Sequence, residues 1–222
     1  MPKLPVRLLL LLCFLSGCVH QSSQNKAHDP QAIAAARIAL GLAYLAQGDN
    51  VRAKQNIDRA LEVMPNSLSA QLALTYYYEK VGEIDKTKRA FATALKRHPH
   101  SGDLLNNYGA FLCRQHQYAD SLYYFDQALV TPNYPDLAAT YENAALCAWQ
   151  GNIDSKAQHY FIQAKHYLPQ SERLARNFIR WNIETERWEE GQKAITDYQR
   201  QFGENLFSVE AQRTIDKGAH KS

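Results

Sequence analysis

Two prolines 34 residues apart, Pro65 and Pro99, close similar stretches, "RALEVMP" and "TALKRHP". A segment of that length cannot enclose a core by itself, so a chain repeating at this period must stack one small unit on the next. Each proline ends a helix, because it lacks an amide proton and disfavours helical geometry at the residue before it. Upstream of Pro65 stand Leu40-Gly41, Tyr44, Gly48-Asp49, Ala53, Ile57 and Ala60, and upstream of Pro99 stand Leu74, Tyr78, Gly82, Phe91 and Ala94. A third unit runs through Tyr108-Gly109, Leu112, Phe125 and Ala128 to Pro132. A fourth has Ala157, Phe161, Ala164 and Pro169, displaced by two residues from the third, a shift assigned mainly to the loop "TPNYPD" and the turn "QGNID". Small residues such as Gly41, Ala60, Ala94, Ala128 and Ala164 permit close helix contact, and Tyr44, Phe91, Phe125 and Phe161 fill the space between helix pairs.

This order of helix, tight turn, helix and proline resembles the tetratricopeptide pattern. The fold expected is all-α, a right-handed superhelical solenoid of helix-turn-helix repeats over 32–222, with about five to six repeats. The fifth unit, about 172–203 with Phe178, Trp188 and Ile195, has Gly191 where alanine is expected. Residues 205–217 read as one more amphipathic helix, with Leu206, Val209 and Ile215 available to cover the open end of the stack. No alternation of strand type and useful length is present.

The N-terminus is of a different kind. Lys3 and Arg7 precede an apolar run over 8–15 that is too short to span a bilayer and has the proportions of a secretory signal. The run ends in Leu15-Ser16-Gly17-Cys18, which resembles the bacterial lipobox, cut before the cysteine. Residues 1–17 are then a lipoprotein signal peptide, Cys18 is acylated, and 18–31 form a flexible polar tether. Each buried methylene contributes about 0.8 kcal/mol and a single chain holds marginally, so two or three acyl chains give lasting attachment. Val19 follows the cysteine, and by the lipoprotein rule that aspartate there favours inner-membrane retention, valine points to the outer membrane, on its periplasmic face.

Of the formal net charge of +3, Lys3 and Arg7 leave with the signal, so the mature chain is close to neutral and has no basic footprint for nucleic acid. Cys113 and Cys147 remain as the other cysteines of the mature chain. They lie in the first helices of consecutive units, where they can pair in an oxidising compartment or pack as small buried apolar groups. His98 and His100 flank Pro99, while His159 and His166 are seven apart, and no clustered ligand set completes a metal site. There is no phosphate loop and no nucleophile elbow, so neither an enzyme nor a cofactor is expected.

A repeat array of this kind binds partners in the groove lined by its first helices. The usual groove positions are Ile38, Leu42 and Leu45, joined by Leu72 and Tyr76. They make an apolar surface suited to an amphipathic helix or extended peptide, unless the stretch 27–35 or a neighbouring helix covers it. Farther on, Asn106, Asn107, Arg114, Glu142 and Gln150 would make the groove more polar. Trp149 stands near its middle as an interface anchor or as core.

Lipobox, tether and repeats in that order, with "NNYGAFLCRQHQY", "TPNYPD" and "ENAALCAWQGN", resemble the type IV pilus biogenesis lipoproteins of the PilW/PilF kind over essentially the whole chain. The resemblance implies a pilotin, an outer-membrane lipoprotein that helps the pilus secretin reach the outer membrane and multimerise. It also implies about six repeats and a disulfide at the positions matched by Cys113 and Cys147. The implied partners are a secretin subunit and, through the anchor, the outer membrane, with no nucleic acid and no small-molecule substrate. The alternative is a tetratricopeptide lipoprotein scaffold for another envelope or cell-wall assembly machine.

Overall fold

The computed structural model describes residues 29–220. The signal segment 1–17, Cys18 and the tether up to residue 28 lie outside the described residues. The last two tether residues are helical instead: Pro30 occupies the first turn of α1 (Pro30–Ala46), and the Asp29 side chain caps it by accepting from the Gln31 amide. Proline suits that position, since the amide it lacks would have no partner in the helix.

Between Pro65 and Asn66 the chain divides into two compact units. The first contains α1 and α2 (Asn50–Val63). Ala34 and Gly41 of α1 are buried, as are Ala53, Ile57 and Ala60 of α2, so the small positions of the repeat lie at the helix contact. Arg37 Nη1 donates to Asn56 Oδ1 at 3.0 Å and ties the two helices through a polar contact.

The second unit holds four helix pairs: α3 (Leu68–Lys80) with α4 (Ile84–Arg97), α5 (Gly102–Arg114) with α6 (Tyr118–Leu129), α7 (Leu137–Gln150) with α8 (Asp154–Tyr167), and α9 (Glu172–Glu184) with α10 (Trp188–Phe202). A final helix, α11 (Leu206–Ala219), follows them. Ser67, Ser101 and Ser171 cap α3, α5 and α9, each hydroxyl accepting from an amide three residues on. That geometry satisfies an amide left without a helical partner. Phe91, Phe125, Phe161 and Ile195 stand at one position of successive second helices and are all buried.

Within each pair a three-residue turn joins the helices, and its middle residue has positive φ: Gly48 80°, Gly82 78°, His116 59°, Asn152 54° and Glu186 56°. The first two units meet this requirement with glycine. The others hold a side chain in a conformation that costs roughly 1–2 kcal/mol. Gly151 of "QGNID" is therefore not the turn glycine, and the two-residue shift does not lie in that turn. It lies before that turn, between α6 and the end of α7, chiefly in the longer connection where Tyr134 folds back, buried, over Gly102 and bonds Thr140 Oγ1 at 2.9 Å.

The end of the chain departs from the repeat for a steric reason. A Cβ at Gly191 would lie 2.8 Å from Ile215 Cδ1, so glycine replaces alanine where α11 packs. Gly218 likewise lies against the Trp188 ring. α11 opens with a reciprocal cap between Asn205 and Ser208. It buries Ala211 and Ile215 and packs Phe207 on the cluster around Ile195, while Leu206, expected to cover the end of the stack, is 73% exposed.

Candidate functional site

In the second unit the first helices are joined to one another side chain to side chain. From α3, Glu79 accepts from Nε and Nη2 of Arg114 on α5 at 2.5 and 2.9 Å. Asn106 of α5 accepts from Nδ2 of Asn143 on α7 at 3.1 Å, and Cys113 is disulfide-bonded to Cys147, with Cα atoms 5.7 Å apart. From α7, Trp149 Nε1 donates to Glu184 of α9 at 3.1 Å, and Glu142 accepts from Arg173 Nη2 at 2.7 Å. Partners in each tie are about one repeat apart in sequence, so equivalent faces of successive first helices meet in one row.

On this row, between α3 and α5, lies a cavity of ≈ 460 Å³. Leu72, Thr75 and Tyr76 of α3, Phe91 of α4, and Asn107 and Ala110 of α5 line it, with Lys80 and the Glu79–Arg114 pair. Thr75 turns its hydroxyl back to the Leu72 carbonyl, so its methyl is left for contact. Tyr76 is 47% exposed, and Lys80 Nζ lies 5.3 Å from the centre of its ring. An exposed aromatic in a concavity lined by both apolar and charged side chains is suited to gripping a polypeptide side chain. Asn107 bonds the Asp103 carbonyl through Nδ2, leaving its amide oxygen to accept from a bound backbone. Among the described residues no group of three His, Cys, Asp or Glu could hold a metal ion, and no helix is long and apolar enough to cross a membrane.

Of the groove residues read from sequence, Leu72 and Tyr76 line this cavity, together with Asn107 and Arg114. Ile38, Leu42 and Leu45 belong to the first unit, where they share one half-buried face of α1. Residues 30–35 continue α1 and are not a separate stretch that could lie over it. Asn106 and Trp149 are outside the cavity, each engaged in a tie to the next helix, and Trp149 also packs on the core at 6.3 Å from Phe161. Glu142 corrects the reading most. Only 2% of its side chain is exposed, so it is not a groove carboxylate, and burial raises its pKa against the opposing charge of Arg173. Thr75, Glu79, Lys80 and Ala110 are not among the groove residues read from sequence, although Leu45 and Tyr76, carried on by one 34-residue period, point to Glu79 and Ala110.

No family model matches the chain. An uncharacterised protein of Haemophilus influenzae is 39% identical over 134 residues, 60% of this chain and 74% of that protein. The type IV pilus assembly protein PilF of Pseudomonas aeruginosa is 32% identical over 171 residues, 76% of this chain, and the chain spans 65% of that relative's length. Among solved structures, that of PilW, a widely conserved type IV pilus biogenesis factor, superposes with a TM-score of 0.71 at 24% identity, covering 86% of this chain and 87% of PilW. The structure of Pseudomonas aeruginosa PilF gives 0.68 at 23% identity, covering 86% and 91%.

Paired helices stacked at this period have the tetratricopeptide fold, as do the solved structures they superpose on. More particularly, the chain is similar in sequence to the type IV pilus assembly protein PilF over 171 residues and shares its fold with the PilW and PilF structures.

Proposed function

We propose that this protein is an outer-membrane lipoprotein, acylated at Cys18, that holds a segment of the pilus secretin subunit and so promotes secretin localisation and multimerisation. The observation that carries this reading is the ≈ 460 Å³ cavity with exposed Tyr76, in a chain 32% identical to a type IV pilus assembly protein. The work divides between two parts. The groove grips an unassembled subunit, and the lipid supplies the address while raising the effective concentration of subunits at the bilayer. Nothing covalent happens to the cargo.

A photocrosslinking residue in place of Tyr76, activated in the native envelope, tests the reading. The adduct should contain the secretin, and Tyr76→Ala should weaken capture by about ten- to a hundredfold, as truncating an aromatic anchor does. Cys18→Ser should release the protein from the membrane and lower secretin multimers. Adducts with cell-wall enzymes and none with secretin, or undiminished multimers in the released protein, would refute it.

A further inference from the structure

At the far end of the same row, α9 carries Arg173, Arg176 and Arg180, spaced three and four residues apart and so on one face of the helix. Arg176 is occupied by Glu172 and by the Tyr198 hydroxyl. The other two are open. Arg173 is 72% exposed and gives one Nη2 bond, at 2.7 Å, to the buried Glu142 carboxylate, which leaves most of its five donors facing outward. Arg180 is exposed, lies 5.5 Å from the centre of the Phe207 ring, and has no carboxylate partner among the described residues. Resting a guanidinium on an aromatic face orders it before any ligand arrives. Of the nearby acids on the packed helices, Glu142 is buried, Glu172 holds Arg176 and Glu184 accepts from Trp149. Glu210 of α11 is exposed and without an ion pair among the described residues.

We propose that Arg173 and Arg180 receive carboxylates of the same bound segment whose apolar side chain fills the cavity at Tyr76. The recognised ligand is thus an extended polypeptide that is apolar at one end and acidic at the other. This rests on the groove reading above and adds the chemistry of the cargo. From α3 to α9 is three first-helix steps of about 9 Å, about 27 Å in all. An extended chain covers that in about eight residues. A membrane surface or a nucleic acid would use the arginines but not the cavity on the same row.

The test uses the full-length protein in detergent and two labelled nonapeptides. One carries leucine and phenylalanine at one end and four carboxylates at the other, and its twin has amides in place of the carboxylates. Fluorescence anisotropy should show the acidic peptide bound about tenfold more tightly at low salt, with the advantage shrinking as salt rises. Arg180→Gln, with unchanged helicity, should remove most of that advantage and leave the amide peptide unaffected. Equal affinity for the two peptides overturns the acidic preference while leaving the groove reading intact. If neither peptide binds and Tyr76 captures no envelope protein either, both fall. Sedimentation with vesicles of phosphatidylcholine and phosphatidylglycerol that depends on Arg180, with no peptide preference, would assign the arginines to a membrane surface and overturn the proposal.

Discussion

Reduction of the Cys113–Cys147 bond should destabilise the folded protein by an amount its position allows us to work out. The bond joins residues 34 apart and so closes a loop that encloses all of α6. Restricting an unfolded chain by a loop of that size is worth about 3.8 kcal/mol at 25 °C on the chain-entropy account. The folded state itself should change little, because Cys113 and Cys147 are only 8% and 1% exposed, and two thiols fit there as small apolar groups. With a urea dependence of about 2 kcal/mol per molar, the midpoint should fall by roughly 2 M on reduction. Unfolding followed by helicity and by tryptophan fluorescence reports the change where it matters, since Trp149 and Trp181 pack in or against the cluster that contains both cysteines. Cys113→Ala/Cys147→Ala should match the reduced protein and be insensitive to reductant. Superimposable curves for oxidised and fully reduced protein would refute the reasoning, and so would a double variant as stable as the oxidised chain.

Glu186→Gly should raise stability by about 1 kcal/mol, read as a higher denaturation midpoint, because Glu186 holds positive φ at 56° in its turn and glycine adopts that conformation freely. Gly218→Val should loosen α11, since any Cβ there meets the Trp188 ring; amide exchange in α11 should quicken while α5 to α8 keep their protection. Glu142→Gln tests the buried carboxylate. Burial raises its folded pKa, so its favourable contribution is full below its unfolded value and declines as pH rises through the folded one. The glutamine variant should therefore gain on the wild type as denaturation is measured from about pH 4 toward pH 7, and a constant difference would refute the assignment.

What was legible in the sequence is whatever the period repeats. Helix starts, turn positions and buried aromatics recur because every unit meets the same packing problem, so Phe91, Phe125 and Phe161 could be placed from spacing alone. The exceptions arose where a residue answers to a neighbour outside its own repeat. Gly191 looks like a degenerate alanine until Ile215 is seen pressing on it, and Gly151 looks like the turn glycine although Asn152 takes that conformation. Tyr134 sits in an insertion that no period describes. Glu142 occupies a groove position by count yet is buried beneath Arg173, a pairing that depends on how closely α9 approaches α7. Charge identity at a repeated position says what could face a ligand, and only the fold says which charges are already satisfied.

The ties between successive first helices differ at every step: a guanidinium on a carboxylate, an amide pair with a disulfide, then an indole and a second ion pair. Excising one helix pair would preserve the hydrophobic rhythm but bring together seams that do not fit. Removal of α5 and α6, for example, would leave Glu79 opposite α7 without its arginine and Cys147 without its sulfur mate. The segments look interchangeable in the alphabet of Ala, Phe and Pro, yet each is keyed to one successor, so their order is written into the protein as firmly as their shape.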